Sequence, residues 1–383
     1  MDEKRILCRN CGKVLPQTPL IVYQNMPKSA QSFPGKEDLE TECGADLTLY
    51  ECKYCGLIQL EDNPVPYYRD VIRAVAVSSE MMGYRKQQFE EWRDKYNLED
   101  KHILEVGAGR GEFMQIMKSV GINVTGLEHS LESVEYAKKN GLNVINGFLE
   151  DENYVVPGGP YDGFYIMSFL EHIPSVSQFI KCIYYNMNAN AVGLVEVPNF
   201  DMILRESLFS ELIQDHLSYF TEDTLKNILS MNGFDVISCK PSWHDYIISA
   251  EVVKRKGTDI SGFVLQQKRL KEEVTGFLKE EKSKNHKIAV WGAGHQALAN
   301  LSLLEMKDYI ECVIDSAVFK QGKYTPATHI PIVAPDILKS GDIKAVVIMA
   351  GSYSEEIVSI MKNQYSGIRF AVLGKEGVAC YEN

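Results

Sequence analysis

The stretch Lys101–Glu112 reads KHILEVGAGRGE and decides the fold of the central part of the chain. Ile103, Leu104 and Val106 form a short apolar run that is typical of a buried parallel strand. The run enters a glycine-rich turn, and FMQIMKSVG then has the apolar spacing of a helix. The next segment, NVTGLEHS, is predicted as a strand closing with Glu128, and a helix, LESVEYAKKNG, follows it. Strand, glycine turn, helix, strand and acid are the layout of a nucleotide-binding βαβ unit.

The spacing of Gly107, Gly109 and Gly111 bears on which cofactor such a unit would hold. A dinucleotide fingerprint is G-x-G-x-x-G, whereas this turn is G-x-G-x-G with Glu105 two residues before its first glycine. A carboxylate there disfavours a pyrophosphate and favours a cationic ligand, S-adenosylmethionine. Glu128, 21 residues after Gly107, stands where an acid accepts both ribose hydroxyls. NAD and a glycine turn without ligand remain the alternatives.

Later strands add residues to the same predicted crevice. NGFLED follows a third strand, LNVI, and its Phe148 and Leu149 could wall an adenine. A fourth strand within Tyr161–Ile173 ends in Ser168, Glu171 and His172, at the strand ends that face the ligand in parallel sheets. His172 is therefore a candidate near the chemistry, and a purely structural histidine is an equal alternative. The predicted cofactor residues are Glu105, Gly107, Ala108, Gly109, Gly111, Glu128, His129, Phe148, Leu149 and Ser168.

Composition excludes several classes of protein. The chain has 383 residues, 45% of them hydrophobic and 24% charged, which suits two or three folded domains. A net charge of −12 argues against a nucleic-acid binder with a broad basic face. No apolar run is long enough for a membrane span, and the start MDEKRILCRN lacks the pattern of a secretory signal. The sequence therefore predicts a cytoplasmic protein with a small-molecule substrate and without nucleic-acid or membrane partners.

Four of the nine cysteines form two Cys-x-x-Cys-Gly pairs, CRNCG and CKYCG. Two such pairs complete a tetrahedral site of four thiolates for a structural Zn²⁺, with no open position for substrate. The alternative is a set of redox-active or unpaired thiols. The 40 residues between the pairs are predicted to contain an inserted strand and loop, LIVYQNMPKSAQSFP. The predicted ligands are Cys8, Cys11, Cys52 and Cys55, with Cys43 in reserve, and the remaining cysteines, 182, 239, 312 and 380, are predicted to be packed.

The C-terminal third has a second Rossmann-like start. Residues 261–286 read as an amphipathic helix, and the apolar run 288–291 then enters Gly292 and Gly294. A second strand, IECVID, ends at Asp315, and AVVIMAG and FAVLG are later strands. Because Ala297 stands where a third glycine might, this is a weak dinucleotide fingerprint.

The order of these motifs resembles the family of nucleotide-sugar C-methyltransferases. It is carried by the two Cys-x-x-Cys-Gly pairs, MPKSAQSFP, CxxCGLIQL and ILEVGAGRGEF in one chain. The resemblance implies a zinc-binding N-terminal domain, a central S-adenosylmethionine domain and a C-terminal Rossmann-like domain. It also implies a dTDP-linked keto-sugar substrate: a base removes the proton next to the carbonyl, and the enolate carbon attacks the methyl group.

The chain departs from the family in the catalytic loop. The family loop typically reads Tyr-His-Glu-His, whereas this chain has Ile213, Gln214, Asp215 and His216. Ile213 cannot move a proton and Gln214 can only hydrogen-bond, so His216, steadied by Asp215 or another acid, becomes the first choice for base. The alternative is a helix-start motif without catalytic role.

Two further segments replace family features. WHDYIISAEV stands in place of a Gly-Gly-Ser segment, so His244 is a third candidate for acid–base work and Tyr246 for substrate binding. A helix-like stretch after PYYRD replaces a serine-rich loop. The segment contributes four basic residues that could bind phosphate: Arg69, Arg73, Arg85 and Lys86. The alternative, which is the commoner one for such residues, is that they are solvated at the surface.

The sequence thus predicts an α/β protein in three parts, with a class I S-adenosylmethionine methyltransferase domain at its centre. The parts are a zinc module at 1–66, the methyltransferase at 67–257, and a linking helix with a Rossmann-like domain at 258–383. In the last part, the loop KQGKYTPATHIPIV supplies predicted substrate contacts from Lys320, Lys323 and Tyr324, with an exposed loop as the equal alternative. The rival functions are O- or N-methylation, NAD-dependent sugar oxidation, and nucleotide-sugar binding without catalysis.

Overall fold

The computed structural model describes residues 5–61, 63–69 and 78–381, and Arg73 lies outside the described residues. The chain divides into two compact units, Met1–Lys256 and Gly257–Asn383. The strands of the first unit are β1 Ile21–Met26, β2 Ala45–Glu51, β3 Ile58–Leu60, β4 His102–Val106, β5 Asn123–Glu128, β6 Val144–Asn146, β7 Tyr161–Met167, β8 Met187–Pro198, β9 Ser218–Tyr219, β10 Phe234–Ser242 and β11 Ile247–Lys254. Its α-helices are α1 Ser79–Tyr96, α2 Glu112–Ser119, α3 Leu131–Lys139, α4 Val176–Tyr185, α5 Phe200–Arg205 and α6 Glu222–Met231.

A seven-stranded sheet in the order β10-β11-β8-β7-β4-β5-β6 is the framework of the first unit. The strands from β8 to β6 are parallel, and β11 and β10 are antiparallel additions at one edge. The chain order reverses between β4 and β7, which is where ligands bind in open α/β sheets. The predicted Rossmann-like α/β fold is confirmed.

Helices cover both faces of this sheet, so its central strands are apolar on both sides. Phe89 and Trp92 of α1 and Met114 and Met117 of α2 pack in one cluster with Tyr165 of β7. The other face packs against α4 and α6, whose fully buried residues include Phe179, Ile180, Ile183, Leu225 and Ile228.

A second, antiparallel sheet has the order β1-β2-β3-β9. Strand β9 follows the segment that contains Asp215 and His216, and its Ser218 and Tyr219 pair with Gln59 and Ile58 of β3. The N-terminal cysteine region and the seven-stranded sheet are therefore joined within one unit, and the segment before β9 is fixed by both.

The second unit contains its own parallel sheet. Its strands are β12 Lys287–Trp291, β13 Ile310–Ile314, β14 Ile332–Val333, β15 Ile343–Ile348, β16 Arg369–Gly374 and β17 Gly377–Tyr381, in the order β14-β13-β12-β15-β16-β17 with β17 antiparallel. The helices are α7 Ser261–Ser283, α8 His295–Leu303 and α9 Ser354–Gln364. The predicted amphipathic helix is α7, which buries Val274, Phe277 and Leu278.

Throughout the described part of the chain, no helix combines the length and apolar character that a transmembrane span requires.

A buried ion pair ties α1 to the sheet. Arg85 is 1% exposed and pairs with Glu196 of β8, which is also fully buried. The expectation that Arg85 meets phosphate or solvent is wrong, because its position on the buried face of α1, with Phe89 and Trp92, directs it inward. Lys86, one residue further, is exposed, and its Nζ lies 4.0 Å from Glu90 Oε1.

Replacing Arg85 by methionine should destabilise the fold by about 3–5 kcal/mol, because the Glu196 carboxylate would stay buried without its counter-charge. Lys86→Met is the matched control and should change the free energy of unfolding by no more than about 0.5 kcal/mol. Urea unfolding followed by circular dichroism measures both. Equal midpoints for the two variants would contradict the assigned role of the buried pair.

Candidate functional site

The glycine turn after β4 adopts a backbone that only glycine tolerates well. Gly107, Gly109 and Gly111 have φ angles of 77°, 55° and 85°, in the left-handed region. A Cβ atom at Gly107 would lie 2.7 Å from the Phe169 ring, whereas at Gly109 it would meet no atom closer than 3.9 Å. The turn therefore packs tightly against Phe169 and leaves open space over Gly109, where a ligand can approach the backbone.

Glu128, the last residue of β5, is fixed by the turn itself. Its carboxylate accepts hydrogen bonds from the amides of Gly109 and Ser130, each 2.8 Å long. The acid is 7% exposed, and these two bonds hold its oxygens at the mouth of the turn. A carboxylate held in this way is prepared to accept hydroxyl groups from a ribose.

A narrow pocket of about 10 Å³ lies beside this acid. Its walls come from the carboxyl ends of the parallel strands and from the loops after them, and its lining residues are Arg69, Val106, Gly107, Leu127, Glu128, His129, Gly147, Phe148, Leu149, Phe169 and Phe179. Arg69 crosses the rim: its guanidinium carbon lies 5.4 Å from the Phe148 ring centre, and the group pairs with Glu150. The Arg69 guanidinium thus contacts an aromatic ring and a carboxylate here, and it is not placed to bind phosphate.

Five predicted cofactor residues lie outside the lining of this pocket: Gly109 and Gly111 of the turn, and Glu105, Ala108 and Ser168. Glu105 is buried within the sheet, where its Oε2 accepts a 2.8 Å bond from the Tyr165 hydroxyl. Ala108 is buried, and its amide bonds to the Leu127 carbonyl at 3.1 Å, so it fixes the turn. Ser168 is exposed at the end of β7 with a φ of 50°. The idea that Glu105 meets a cationic ligand directly needs correction, since its carboxylate is engaged inside the protein.

Two histidines meet beyond the end of β7. The Nδ1 atom of His172 bonds to the backbone oxygen of Asp215 at 2.7 Å, so Nδ1 is the donor and Nε2 carries the lone pair. The ring of His216 lies 4.9 Å from that of His172, centre to centre, at an angle of 72°. His172 also contacts Phe169, with ring centres 6.4 Å apart, which connects the histidine pair to the narrow pocket.

Both imidazoles are neutral at physiological pH. Burial lowers the pKa of His172, and burial together with the neighbouring His172 lowers the pKa of His216 to about 3. A neutral imidazole can accept a proton, so the pair has the protonation state of a general base.

Glu171, which the sequence reasoning placed at the end of the strand without assigning it a role, belongs to the same cluster. Its side chain is 2% exposed, its Oε1 lies 3.9 Å from His172 Nε2, and its Oε2 has no hydrogen-bond partner among the described residues. Burial raises the pKa of Glu171 to about 8, so the carboxyl is largely protonated at neutral pH. The signal available in the sequence was its place directly before His172 at a strand exit.

Asp215 holds the 213–216 segment against the N-terminal region. Its Oδ2 accepts from the Ala30 amide at 2.9 Å and its Oδ1 from the Tyr67 hydroxyl at 2.6 Å. The expected hydrogen bond that would steady His216 is absent among the described residues, because the carboxylate faces Ala30 and Tyr67. Ile213, two residues before Asp215, is held through its backbone. Its N–H donates to the Tyr219 hydroxyl at 2.9 Å, and that hydroxyl donates to its carbonyl oxygen at 3.1 Å.

His244 and Tyr246 lie in the tight turn between β10 and β11. The Nε2 of His244 bonds to exposed Glu80 at 2.9 Å, and its own side chain is 68% exposed. Tyr246 donates to Glu211 at 2.7 Å. The ring of His244 faces solvent and Glu80 of α1, and its role in compensating for the changed loop stays a prediction.

Comparisons with known proteins agree with this geometry. Residues 83–239 match the family described as "Methyltransferase domain", and residues 254–373 match "C-methyltransferase C-terminal domain". The C-methyltransferase NovU of Streptomyces niveus is 20% identical over 400 residues, which cover 95% of this chain and 94% of that protein. The chain is an S-adenosylmethionine-dependent methyltransferase, and its C-terminal part is similar to that of C-methyltransferases.

Two other similar proteins match a smaller part of the methyltransferase. The ubiquinone biosynthesis O-methyltransferase of Shewanella pealeana is 34% identical over 90 residues, 21% of this chain and 36% of that protein. A solved structure of the plantazolicin methyltransferase BpumL, in complex with a triazolic desmethylPZN analog and SAH, covers 45% of this chain and 85% of that one, with 15% identity and a TM-score of 0.38.

The four predicted metal ligands of the methyltransferase converge. Cys8 Sγ lies 3.5 Å from Cys55 Sγ, and Cys11 Sγ lies 3.5 Å from Cys52 Sγ, with all four sulfurs within 4.8 Å of one another. Gly12 and Gly56, directly after the second cysteine of each pair, have φ angles of 69° and 78°. Those turns let backbone amides bond to the sulfurs, among them that of Lys13 to Cys11 and that of Leu57 to Cys55.

The other cysteines stand apart. Cys43 is exposed and lies 3.1 Å from the Lys28 amine, so it is not a reserve ligand in this structure. Cys182, Cys239 and Cys312 are buried as predicted, but Cys380 is exposed, since it lies on β17 at the edge of the sheet.

The predicted substrate residues of the second unit differ in their surroundings: Lys320 is bonded within the protein, whereas Lys323 and Tyr324 are exposed. Lys320 is engaged: its amine bonds to Asp315 at 2.8 Å and to the Ala293 carbonyl at 3.1 Å. Asp315 also accepts from the Ala293 amide, at 2.9 Å, so the glycine turn after β12 is closed by the protein's own groups. Lys323 and Tyr324 are exposed.

The buried Glu171 predicts a pH dependence of stability. Because its pKa rises from about 4.5 to about 8 on folding, the folded protein retains a proton that the unfolded chain releases, and stability falls as pH rises between these values. His216 acts in the opposite sense, and only between pH 6.5 and about 3. Between pH 6.5 and 8 the Glu171 effect is therefore unopposed by His216, and it should lower stability by about 1–2 kcal/mol.

Glu171→Gln should remove this decline, because glutamine does not ionise, and urea unfolding at pH 6.5 and pH 8 measures it. Glu132→Gln, at a carboxylate whose side chain is 81% exposed, is the control that should keep the wild-type slope. A wild-type decline that persists in Glu171→Gln would show that another group causes it.

Proposed function

We propose that the methyltransferase moves a methyl group from S-adenosylmethionine to a carbon atom next to a keto group, on a nucleotide-linked sugar. The observation that supports this best is the neutral His172–His216 pair, which contacts Phe169 of the narrow pocket and the Asp215 backbone. Removing a proton from carbon requires a base at such a position, and a neutral imidazole is one. The relative from Streptomyces niveus is itself a C-methyltransferase.

The residues around the glycine turn fit S-adenosylmethionine. Glu128, held by Gly109 and Ser130, would accept the ribose hydroxyls, and Phe148 and Leu149 would wall the adenine. The open space over Gly109 admits a ligand against the backbone. When bound, the cofactor supplies an electrophilic methyl group on a sulfonium. Arg69 would have to leave the Phe148 ring, since the pocket is too narrow for an adenosyl group while it crosses the rim.

We assign the proton acceptor to His216, which is partly exposed while His172 is buried. Because Glu171 is largely protonated at neutral pH, it would stabilise a proton on His216 only if it ionised; its Oε1 lies 3.9 Å from His172 Nε2. His172 cannot turn freely, because its Nδ1 is bound to the Asp215 carbonyl. The same pair could deprotonate a hydroxyl, so O-methylation is the second candidate. It is consistent with Ile213, which cannot move a proton and stands where the resembled family typically has a tyrosine.

Methyl transfer is tested with a dTDP-linked keto-hexose and methyl-labelled cofactor, followed by mass spectrometry. His216→Ala should lower kcat about 10²–10⁴-fold because the base is removed, and His329→Ala, at an exposed histidine of the second unit, should not. Exchange of the proton next to the carbonyl with deuterated solvent, with S-adenosylhomocysteine bound, distinguishes carbon from oxygen acceptors. Full turnover by His216→Ala would remove that residue from the mechanism.

Glu128→Ala should weaken S-adenosylmethionine binding by about 1–3 kcal/mol, because hydrogen bonds from the ribose to a charged group are lost. Isothermal titration calorimetry measures the change. Glu132→Ala, on the neighbouring helix α3 and paired with Arg110, should titrate like the wild type. If both variants bind the cofactor equally well, the ribose does not lie on Glu128.

We propose that the four converging cysteines hold one structural Zn²⁺. Their sulfur spacings of 3.5 Å are near those of a tetrahedral thiolate site with bonds of about 2.3 Å, and the glycines that follow each pair allow amide–sulfur bonds. A closed set of four thiolates leaves no position for substrate, so this ion would stabilise the fold without taking part in the reaction.

Purified protein should contain about one zinc per chain by elemental analysis. Cys52→Ser should lose the metal and unfold at lower temperature, whereas Cys43→Ser, at the exposed cysteine outside the cluster, should keep both metal and stability. A folded wild-type protein that holds no zinc after growth in zinc-containing medium would contradict the site.

A further inference from the structure

A second group of side chains that can ligate a metal converges in the first unit, beyond the end of β7. Among the described residues, Glu171, His172 and His216 bring one donor atom each within 4.8 Å of one another, as the cysteine cluster also does. We call these three residues the histidine–glutamate cluster. Two imidazole nitrogens and one carboxylate oxygen are donors that suit a divalent transition-metal ion.

His172 is already held in the way that metal-binding histidines are usually held. Its Nδ1 donates to the Asp215 carbonyl oxygen at 2.7 Å, so Nε2 keeps its lone pair. A histidine that ligates a metal almost always donates its other ring N–H to a carbonyl or carboxylate, which fixes the tautomer and the direction of the ring. His172 therefore offers one prepared nitrogen ligand, 3.9 Å from the Oε1 atom of Glu171.

Glu171 contributes a buried oxygen that its surroundings do not satisfy. Its side chain is 2% exposed, and its Oε2 has no hydrogen-bond partner within the described part of the chain. A buried polar oxygen without a partner is unfavourable, and a cation beside it would offset that cost. The ion would displace the proton that burial leaves on this carboxyl group.

His216 can turn towards the other two residues. Its ring centre lies 4.9 Å from that of His172, and its ring nitrogens make no hydrogen bond among the residues that the structure describes. Donor atoms on one tetrahedral ion lie about 3.3–3.6 Å apart when the bonds are about 2.0–2.2 Å long. The separations in the cluster, which reach no more than 4.8 Å, can close by rotation of Glu171 and His216 without breaking a hydrogen bond of the His216 ring.

The cluster differs from the cysteine site in being open. Three protein ligands leave at least one position of a bound ion for water or another ligand, whereas four thiolates leave none. His216 is partly exposed, so an ion in solvent can reach the cluster from its side. The nitrogen and oxygen donors are also harder than thiolates, so the two sites would bind the same ion with different affinity and exchange.

We propose that Glu171, His172 and His216 bind one divalent transition-metal ion, in addition to the zinc of the cysteine cluster, and that this ion switches off methyl transfer. A nitrogen lone pair that is bonded to a metal cannot accept a proton, so the occupied cluster has no free base. The switch rests on the proposed function, which assigns the base to His216, whereas the binding site rests on the geometry of the cluster alone.

The test of binding titrates Co²⁺ into full-length, zinc-loaded protein and follows visible absorption, which reports the donors around the ion. The histidine–glutamate cluster should give the weak bands of nitrogen and oxygen ligands. Exchange into the cysteine cluster would instead give an intense sulfur-to-cobalt band and release zinc, which elemental analysis detects. A titration that shows only the sulfur-to-cobalt band, or no band at all, overturns the site.

Variants assign the bands to residues. Glu171→Gln and His216→Ala should each weaken Co²⁺ binding at least about tenfold, because even the partner behind a ligand is worth about 10–100-fold in metal affinity. His329→Ala, at an exposed histidine of the second unit, is the control and should bind like the wild type. Glu171→Gln keeps the size of the side chain, and thermal unfolding checks that both variants are folded. Bands that neither variant weakens also overturn the site.

The switch is tested by measuring methyl transfer to the dTDP-linked keto-hexose and Co²⁺ absorption in the same mixture, so that occupancy is known even if the diphosphate binds part of the ion. The rate should fall in proportion to occupancy of the histidine–glutamate cluster. It should recover when a chelator removes the cobalt and leaves the zinc. Full turnover with the cluster occupied overturns the switch. A wild type that binds Co²⁺ at the cluster but methylates no ketone without the ion refutes the proposed function, and the switch with it, while the metal site stands.

Discussion

The hydrogen bond from His172 Nδ1 to the Asp215 backbone oxygen, 2.7 Å long, is the contact on which the proposed active site depends. It joins the loop after β7 to the segment before β9, 43 residues later in the chain. It also fixes the tautomer of His172 and so directs the lone pair of Nε2 towards Glu171. The bond places His172 beside the segment that carries His216.

The N-terminal region stabilises the same segment from the other side. Strand β9 extends the antiparallel sheet of β1, β2 and β3, and Asp215 is bonded by Ala30 and Tyr67. A zinc-bound cysteine cluster in that region would thus support the 213–216 segment as well as its own fold. In this view the metal acts on catalysis only through the position of the 213–216 segment.

The local features of the site could be predicted from sequence and the tertiary ones could not. The glycine turn, Glu128 and the cysteine pairs depend on spacing within short segments, and the structure brings each set together. Arg85 was misjudged because its partner, Glu196, is more than a hundred residues away. The partners of Asp215, Ala30 and Tyr67, are also far away in the chain, so the sequence could not indicate them. The burial that raises the pKa of Glu171 depends on tertiary packing that no motif encodes.

A crystal structure of the methyltransferase with S-adenosylhomocysteine is the most direct test of where methyl transfer takes place. The account predicts that the ribose hydroxyls lie on Glu128, the adenine lies against Phe148, and the sulfur faces the histidine pair. A nucleoside bound instead at the glycine turn after β12, with the Glu128 pocket closed by Arg69, would contradict it.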